Sequence, residues 1–131
     1  MLQVTYDDTH QELIVDGRRE DYANFCDSTR RAIASGSEIA LPVKSKGRTT
    51  VSHFVLRKSA PPNRVSFDGG RVIFSVAPTL QRQFLSFIEF PANDDLPDSP
   101  IQYHHHFDGL ADDGTHVAPD SLQVIFALER I

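Results

Sequence analysis

The chain has 131 residues, of which 40% are hydrophobic and 24% charged, and this composition is typical of a globular domain rather than a disordered or fibrous chain. No stretch approaches the roughly 20 apolar residues that cross a bilayer, and the first residues have neither the basic start nor the apolar run of a signal peptide. The single cysteine, Cys26, excludes an internal disulfide, so we expect a cytoplasmic protein.

The net charge of −5 is concentrated in the second half of the chain. Residues 61–131 carry ten Asp and Glu against four Lys and Arg, whereas residues 1–60 carry eight against nine. Such a negative potential repels phosphate backbones and attracts basic partners, so we expect no binding of nucleic acid. From the charge alone we favour ordinary solvated loops, and the alternative is a surface that faces a protein partner. The candidate partner-binding carboxylates, which lie in a stretch without Lys or Arg, are Asp94, Asp95, Asp98, Asp108, Asp112, Asp113 and Asp120.

The first half of the chain predicts a hairpin, a helix and two more strands. Alternating apolar residues at 2–6, a turn signal at 7–10 and an apolar run at 13–15 predict the hairpin. Helical spacing over Arg18–Ser35 predicts a helix, with Gly36 as its left-handed stop. Two strands follow, at Ile39–Val43 and Thr49–Arg57, joined by a turn at Lys44–Gly47.

The second half repeats this order. A proline-rich junction at residues 60–63 cannot continue a strand ladder, because its two prolines remove two donors. A second hairpin then turns at Asp68–Gly70, and Pro78 opens a helix that ends before Pro91. Its apolar stripe consists of Leu80, Phe84, Phe87 and Ile88. Ile101–Asp108 and Leu122–Leu128 are the last strand candidates, separated by an acidic loop.

This matching order predicts one domain over residues 1–131, with pseudo-repeats at 1–60 and 64–131. Each helix has one apolar stripe and each set of four strands has one apolar face, so the helices should cover the strands. Short connections favour antiparallel neighbours. The predicted fold is therefore a two-layer α+β arrangement of duplicated strand-strand-helix-strand-strand units, with a mainly antiparallel sheet covered by two helices. Whether there is one eight-stranded sheet or two remains open.

A histidine-rich strand is the most unusual local feature. In an extended strand, His104, His106 and Asp108 share one face, and Tyr103, His105 and Phe107 share the other. Imidazoles and a carboxylate are ligands for zinc or another divalent ion, and His116 could supply a fourth. The simpler interpretation, which we favour, packs Tyr103, His105 and Phe107 partly under a helix and leaves His104 and His106 on a solvated face.

No catalytic signature accompanies these residues. The sequence contains no Gly-x-Ser-x-Gly elbow and no glycine loop that would cradle a phosphate ahead of a helix. Cys26 lies on the apolar face of the first predicted helix, which indicates a core role. Gly69-Gly70 lies between two strands, which indicates a turn. We therefore predict no catalytic residues and no enzymatic activity.

The last third of the chain resembles a known family. His104–Asp108, the long loop, the step Ala118–Leu122 and the strand Gln123–Leu128 are similar to the close of family 32 of the bacterial immunity proteins from polymorphic-toxin systems. Leu2–Ser35 and its echo Arg64–Phe90 resemble longer members of that family. The resemblance implies a non-catalytic cytoplasmic protein that binds and neutralises a cognate toxin. We expect no cofactor. The alternative is a ligand-binding or scaffold module, with a divalent metal held by the His104–Asp108 strand.

Overall fold

Two helices and nine strands make up the described part of the chain, which in this computed structural model comprises residues 1–90, 104–108 and 114–128. The predicted α+β class is confirmed. In chain order the elements are β1 (Gln3–Asp7), β2 (Glu12–Gly17), α1 (Arg19–Ser35), β3 (Ile39–Pro42), β4 (Lys44–Lys46), β5 (His53–Lys58), β6 (Arg64–Asp68), β7 (Arg71–Val76), a 3₁₀ turn (Pro78–Leu80), α2 (Gln81–Ser86), β8 (His104–Phe107) and β9 (Gln123–Leu128).

The strands form two separate sheets, which resolves the alternative that the sequence left open. The first sheet has five strands in the order β4-β1-β2-β9-β8, and the second has four in the order β3-β5-β7-β6. Most neighbours are antiparallel, as predicted, but β1·β4, β2·β9 and β5·β7 are parallel pairs. Two of these parallel pairs lie at the centres of the sheets.

The two halves of the chain exchange strands. The β1–β2 hairpin of the first half pairs through β2 with β9 of the second half, and β8 lies beyond β9. The β6–β7 hairpin of the second half pairs through β7 with β5 of the first half, and β3 lies beyond β5. The strands of the two halves can be matched as β1 with β6, β2 with β7, β3 with β8 and β5 with β9. With this matching, the order β1-β2-β9-β8 in the first sheet corresponds to β6-β7-β5-β3 in the second. Each sheet is built from both halves of the chain.

Helix α1 packs its apolar stripe between the sheets. The ring of Phe25 lies 5.2 Å from that of Phe74 in the second sheet and 6.1 Å from that of Phe126 in the first. The helix ends as predicted, because Gly36 adopts the left-handed conformation with φ of 72° and its N–H bonds to the Ala32 carbonyl. Helix α1 therefore joins the two sheets through one aromatic cluster.

The second predicted helix is shorter than its apolar stripe indicates. Pro78 opens a 3₁₀ turn, and the α-helical part covers only Gln81–Ser86. Phe84 is buried and its ring lies 6.2 Å from that of Phe25, so the two helices meet at corresponding positions.

The predicted turn at Lys44–Gly47 is wrong for its first three residues. Lys44–Lys46 is strand β4, which pairs in parallel with β1 and begins with a 2.9 Å bond from the Lys44 N–H to the Leu2 carbonyl. The following strand, β5, starts at His53 rather than Thr49. The sequence of β4 resembles a turn because an edge strand needs few apolar residues. Lysines on an edge strand also oppose its pairing with another chain.

Candidate functional site

The candidate site is the face of the first sheet that points away from the core. Side chains alternate between the two faces of each strand, and the burial of β1 and β2 alternates in the same way. The residues turned away from the core are half-buried in the middle of the sheet and exposed at its edges, with Ala127 buried. We call this surface the open face; it consists of Gln3, Thr5, Asp7, Glu12, Ile14, Asp16, Lys44, Lys46, His104, His106, Gln123, Ile125 and Ala127.

The centre of the open face is apolar. The strand register places Ile14 opposite Ile125, with Thr5 on the other side of Ile14. Both isoleucines are half-buried, although they lie on the outer side of the sheet. This row ends in Lys46 at one edge and His106 at the other. The sheet therefore presents an apolar strip with polar ends.

One end of the open face is acidic. Asp7 and Glu12 are directly opposite each other across the β1–β2 hairpin, and like charges in such a pair are unfavourable. The Nδ1 atom of His10 lies 2.7 Å from Asp7 Oδ2, and this hydrogen bond raises the pKa of His10 and lowers the pKa of Asp7. Asp7 Oδ1 also accepts the N–H groups of Thr9 and His10. Glu12 adds to the field that favours protonated His10.

The predicted acidic partner surface is only partly within the described residues. Asp94, Asp95, Asp98, Asp112 and Asp113 lie outside them. Asp108 is half-buried and directly follows β8, at the edge of the first sheet. Asp120 is exposed and accepts a 3.0 Å bond from Arg64, which belongs to the second sheet. The carboxylates that share the open face are instead Asp7, Glu12 and Asp16.

The histidine-rich strand divides its faces as predicted. His104 and His106 are exposed on the open face, with ring centroids 4.9 Å apart. His105 points the other way: its Nδ1 lies 2.8 Å from the Phe87 carbonyl oxygen and its ring stacks on Phe90 at 4.6 Å. Phe107 is fully buried beside α2, whereas Tyr103 lies outside the described residues.

The four predicted metal ligands are not assembled into one group. His116 belongs to the loop before β9, where its Nδ1 lies 3.2 Å from Thr115 Oγ1 and its carbonyl accepts the Asn63 N–H. Within residues 1–90, 104–108 and 114–128, no three His, Cys, Asp or Glu side chains are close enough together to hold an ion. Of the four predicted ligands, His104 and His106 lie side by side, with their rings in contact.

Cys26 has the predicted place in the core. Its thiol is buried and donates a 3.6 Å hydrogen bond to the Ile88 carbonyl. Burial raises the pKa of the Cys26 thiol to about 11, so the thiolate needed for nucleophilic chemistry is not formed near neutral pH. An open groove of about 430 Å³ runs along this part of α1. Arg30 at its rim already pairs with Asp27 and Glu89.

Sequence reasoning missed the apolar centre of the open face. The signal was present, because each strand contains a three-residue run with an apolar residue between two core positions, Leu13-Ile14-Val15 in β2 and Val124-Ile125-Phe126 in β9. A strand with one solvent-exposed face needs apolar residues only at alternate positions. The core therefore does not need the middle residue of each run, Ile14 or Ile125. Their meeting on neighbouring strands required the β2–β9 pairing, which connects residues far apart in the chain.

Comparison of the chain with protein-family models, with curated proteins and with solved structures finds no match. Neither of the helices in the described ranges combines the length and the apolar character that crossing a bilayer requires.

Proposed function

We propose that this chain is a non-catalytic binding protein that neutralises a bacterial toxin inside the producing cell by docking the open face of its first sheet on that toxin. The observation that carries the proposal is the apolar strip around Ile14 and Ile125, which lies on the outer side of the sheet and is bordered by carboxylates. The resemblance of residues 104–128 to immunity proteins supplies the class of partner.

The shape of the open face favours a macromolecular partner. Small ligands bind in concave pockets that enclose most of their surface, whereas a pleated sheet presents a broad surface. Protein interfaces combine an apolar centre with a polar rim, and this is the distribution around Ile14 and Ile125. Half-buried isoleucines at the centre would lose their remaining contact with water on docking, which stabilises a complex.

The carboxylates of the rim favour a basic partner, while Lys44 and Lys46 line the edge formed by β4. Asp7 and Glu12 form one acidic end, Asp16 lies on the same face, and Asp108 follows β8 at its edge. A toxin that attacks nucleic acid generally carries a basic substrate cleft, and a carboxylate rim has the complementary potential. Such complementarity chiefly speeds association, so binding should weaken as salt is added. The acidic stretch that includes Asp94 and Asp112 remains part of the same hypothesis.

The test is binding and protection against the toxin encoded next to this gene. We expect the purified chain to form a complex with that toxin domain and to restore growth of cells that produce it. Glu12→Lys should lower the affinity and its salt dependence, and Ile14→Arg should lower the affinity by about tenfold or more, because a charge would be placed at the centre of the interface.

Matched controls lie on the outer side of the second sheet. Asp68→Lys reverses an exposed charge and Ala40→Arg adds an arginine at an exposed strand position, so both should bind like the unsubstituted chain. Circular dichroism melts of all four variants confirm that each is folded. If the neighbouring toxin does not bind, or if both open-face variants bind it as tightly as the controls do, the proposal is wrong.

A further inference from the structure

We propose that His104 and His106 form a two-imidazole chelate for a divalent transition-metal ion of the zinc, nickel and copper class. The two histidines are two residues apart on β8, so both side chains project from the same face of the strand. Both are exposed, and β9 fixes the backbone beneath them by pairing His104 with Ala127 and His106 with Ile125.

The separation of the rings fits one shared ion. A zinc–nitrogen bond is about 2.1 Å and a ring nitrogen lies about 1.1 Å from its ring centroid, so two imidazoles on one ion have centroids about 4.5 to 5.2 Å apart for bond angles between square and tetrahedral. The observed distance between the His104 and His106 centroids is 4.9 Å. The centroid separation is therefore within the range that one shared ion requires, once a nitrogen of each ring is turned toward it.

The strand that carries the two histidines is anchored from its other face. Between them, His105 places its Nδ1 2.8 Å from the Phe87 carbonyl and stacks its ring on Phe90. Phe107 is 1% exposed and contacts the rings of Phe84 and Phe87. A ligand pair on a strand held in this way keeps its spacing, which lowers the ordering cost of binding an ion.

The ligand chemistry selects the class of ion. Neutral imidazoles suit zinc, copper and nickel, whereas magnesium and calcium prefer oxygen ligands. Two protein ligands leave the remaining coordination positions of the ion to water or to a side chain of a docked protein. Because the pair borders Ile125, an ion there would lie at the edge of the open face, but its binding does not depend on any partner.

The experiment is a calorimetric titration of the tag-free full chain with zinc chloride, nickel chloride and magnesium chloride. We expect one equivalent of zinc or nickel to bind and magnesium not to bind. His104→Asn and His106→Asn should each lower the zinc affinity by about tenfold or more, because the second imidazole of a chelate acts at high effective concentration. His53→Asn, at an exposed position of β5, should leave the affinity unchanged.

A second readout locates the ion. Paramagnetic nickel should broaden the ring proton resonances of His104 and His106 before those of His53 and His10. All the substituted positions are exposed, so the variants should keep the thermal stability of the unsubstituted chain, and melting curves verify this. Failure to bind a stoichiometric ion, equal affinity in the His104→Asn and His106→Asn variants and the unsubstituted chain, or broadening centred elsewhere overturns the proposal.

Discussion

The hydroxyl of Tyr22 lies 2.7 Å from the carbonyl oxygen of Ala127 and donates a hydrogen bond to it, so the first helix is joined to a strand 105 residues away in the sequence. The carbonyl of Val15 is 3.0 Å from the same hydroxyl. These two carbonyls belong to β9 and β2, the parallel pair at the centre of the first sheet. Tyr22 is 1% exposed, so this contact is shielded from water.

Removing the Tyr22 hydroxyl should therefore destabilise the fold without creating a large cavity. We expect Tyr22→Phe to lower the free energy of unfolding by about 1–2 kcal/mol, because buried carbonyls lose their donor. Urea denaturation followed by circular dichroism measures the change. Tyr6→Phe is the matched control, since the Tyr6 ring stacks on Phe67 and the variant keeps that contact. Equal loss in both variants would contradict the role given to the hydroxyl.

Asn63 should be among the most sensitive polar positions. It is 1% exposed, its Oδ1 accepts the buried Ala77 N–H at 2.8 Å, and its Nδ2 donates to the Leu80 carbonyl. Asn63→Ala leaves that N–H without its partner, and we expect a loss of about 2–3 kcal/mol in unfolding free energy. Asp120→Asn, which breaks the exposed ion pair with Arg64, should cost under about 1 kcal/mol. Thermal or urea unfolding separates the two outcomes.

Two neighbouring residues of β2 should lose stability to different extents when each is replaced by threonine. Val15 is fully buried, so Val15→Thr places a hydroxyl in the core and should cost about 1–3 kcal/mol. Ile14 is half-buried on the open face, where the hydroxyl of Ile14→Thr can reach water, and we expect a smaller loss. The urea midpoints of the two variants provide the comparison. A larger loss for Ile14→Thr would mean that the strand faces are assigned wrongly.

The hydrogen bond between His10 and Asp7 predicts how the stability of the fold depends on pH. The pKa of His10 is raised above its ordinary value of 6.5, so the stabilisation from this pair is complete below that value and is lost as the pH rises through the folded-state pKa. The pKa of Asp7 is lowered, so the stabilisation is present above 3.8 and is lost as the pH falls through the folded-state pKa of Asp7. The contribution should therefore be greatest between these limits.

An NMR titration of the His10 ring protons tests this pairing directly. Asp7→Asn should return the pKa of His10 toward its ordinary value, because the hydrogen-bonded carboxylate is the main cause of the shift. Asp8→Asn removes an adjacent carboxylate of the same turn and should leave most of the shift in place. If the two variants change the titration equally, the general charge of the turn rather than the Asp7 hydrogen bond is responsible.

Local signals in the sequence were enough to predict most individual elements. Alternation over Leu2–Tyr6 predicted β1, and Gly36 predicted the end of α1, because backbone sterics act within a few residues. The direction of the histidine side chains on β8 followed from strand geometry alone. Strand β4 was mistaken for a turn because its stability comes from β1, not from its own composition.

The arrangement of the sheets and the candidate site could not be predicted in the same way. Short connections favour antiparallel neighbours, yet the central pairs β2·β9 and β5·β7 are parallel and join different halves. The apolar runs show that Ile14 and Ile125 are not needed for the core, but they do not show that the two residues lie opposite each other on neighbouring strands. Predicting the acidic end of the open face requires the hairpin register, which places Asp7 opposite Glu12. The sequence alone indicated instead the longer acidic stretch between Asp94 and Asp120.

The exchange of strands between the halves has a consequence for synthesis on the ribosome. Strand β2 emerges about a hundred residues before its neighbour β9. The backbone N–H and C=O groups on that edge of β2 therefore have no strand partner until β9 has been synthesised. Cutting the polypeptide at residues 60–63 should therefore yield two fragments that are each insoluble alone and become soluble when they are produced together in one cell.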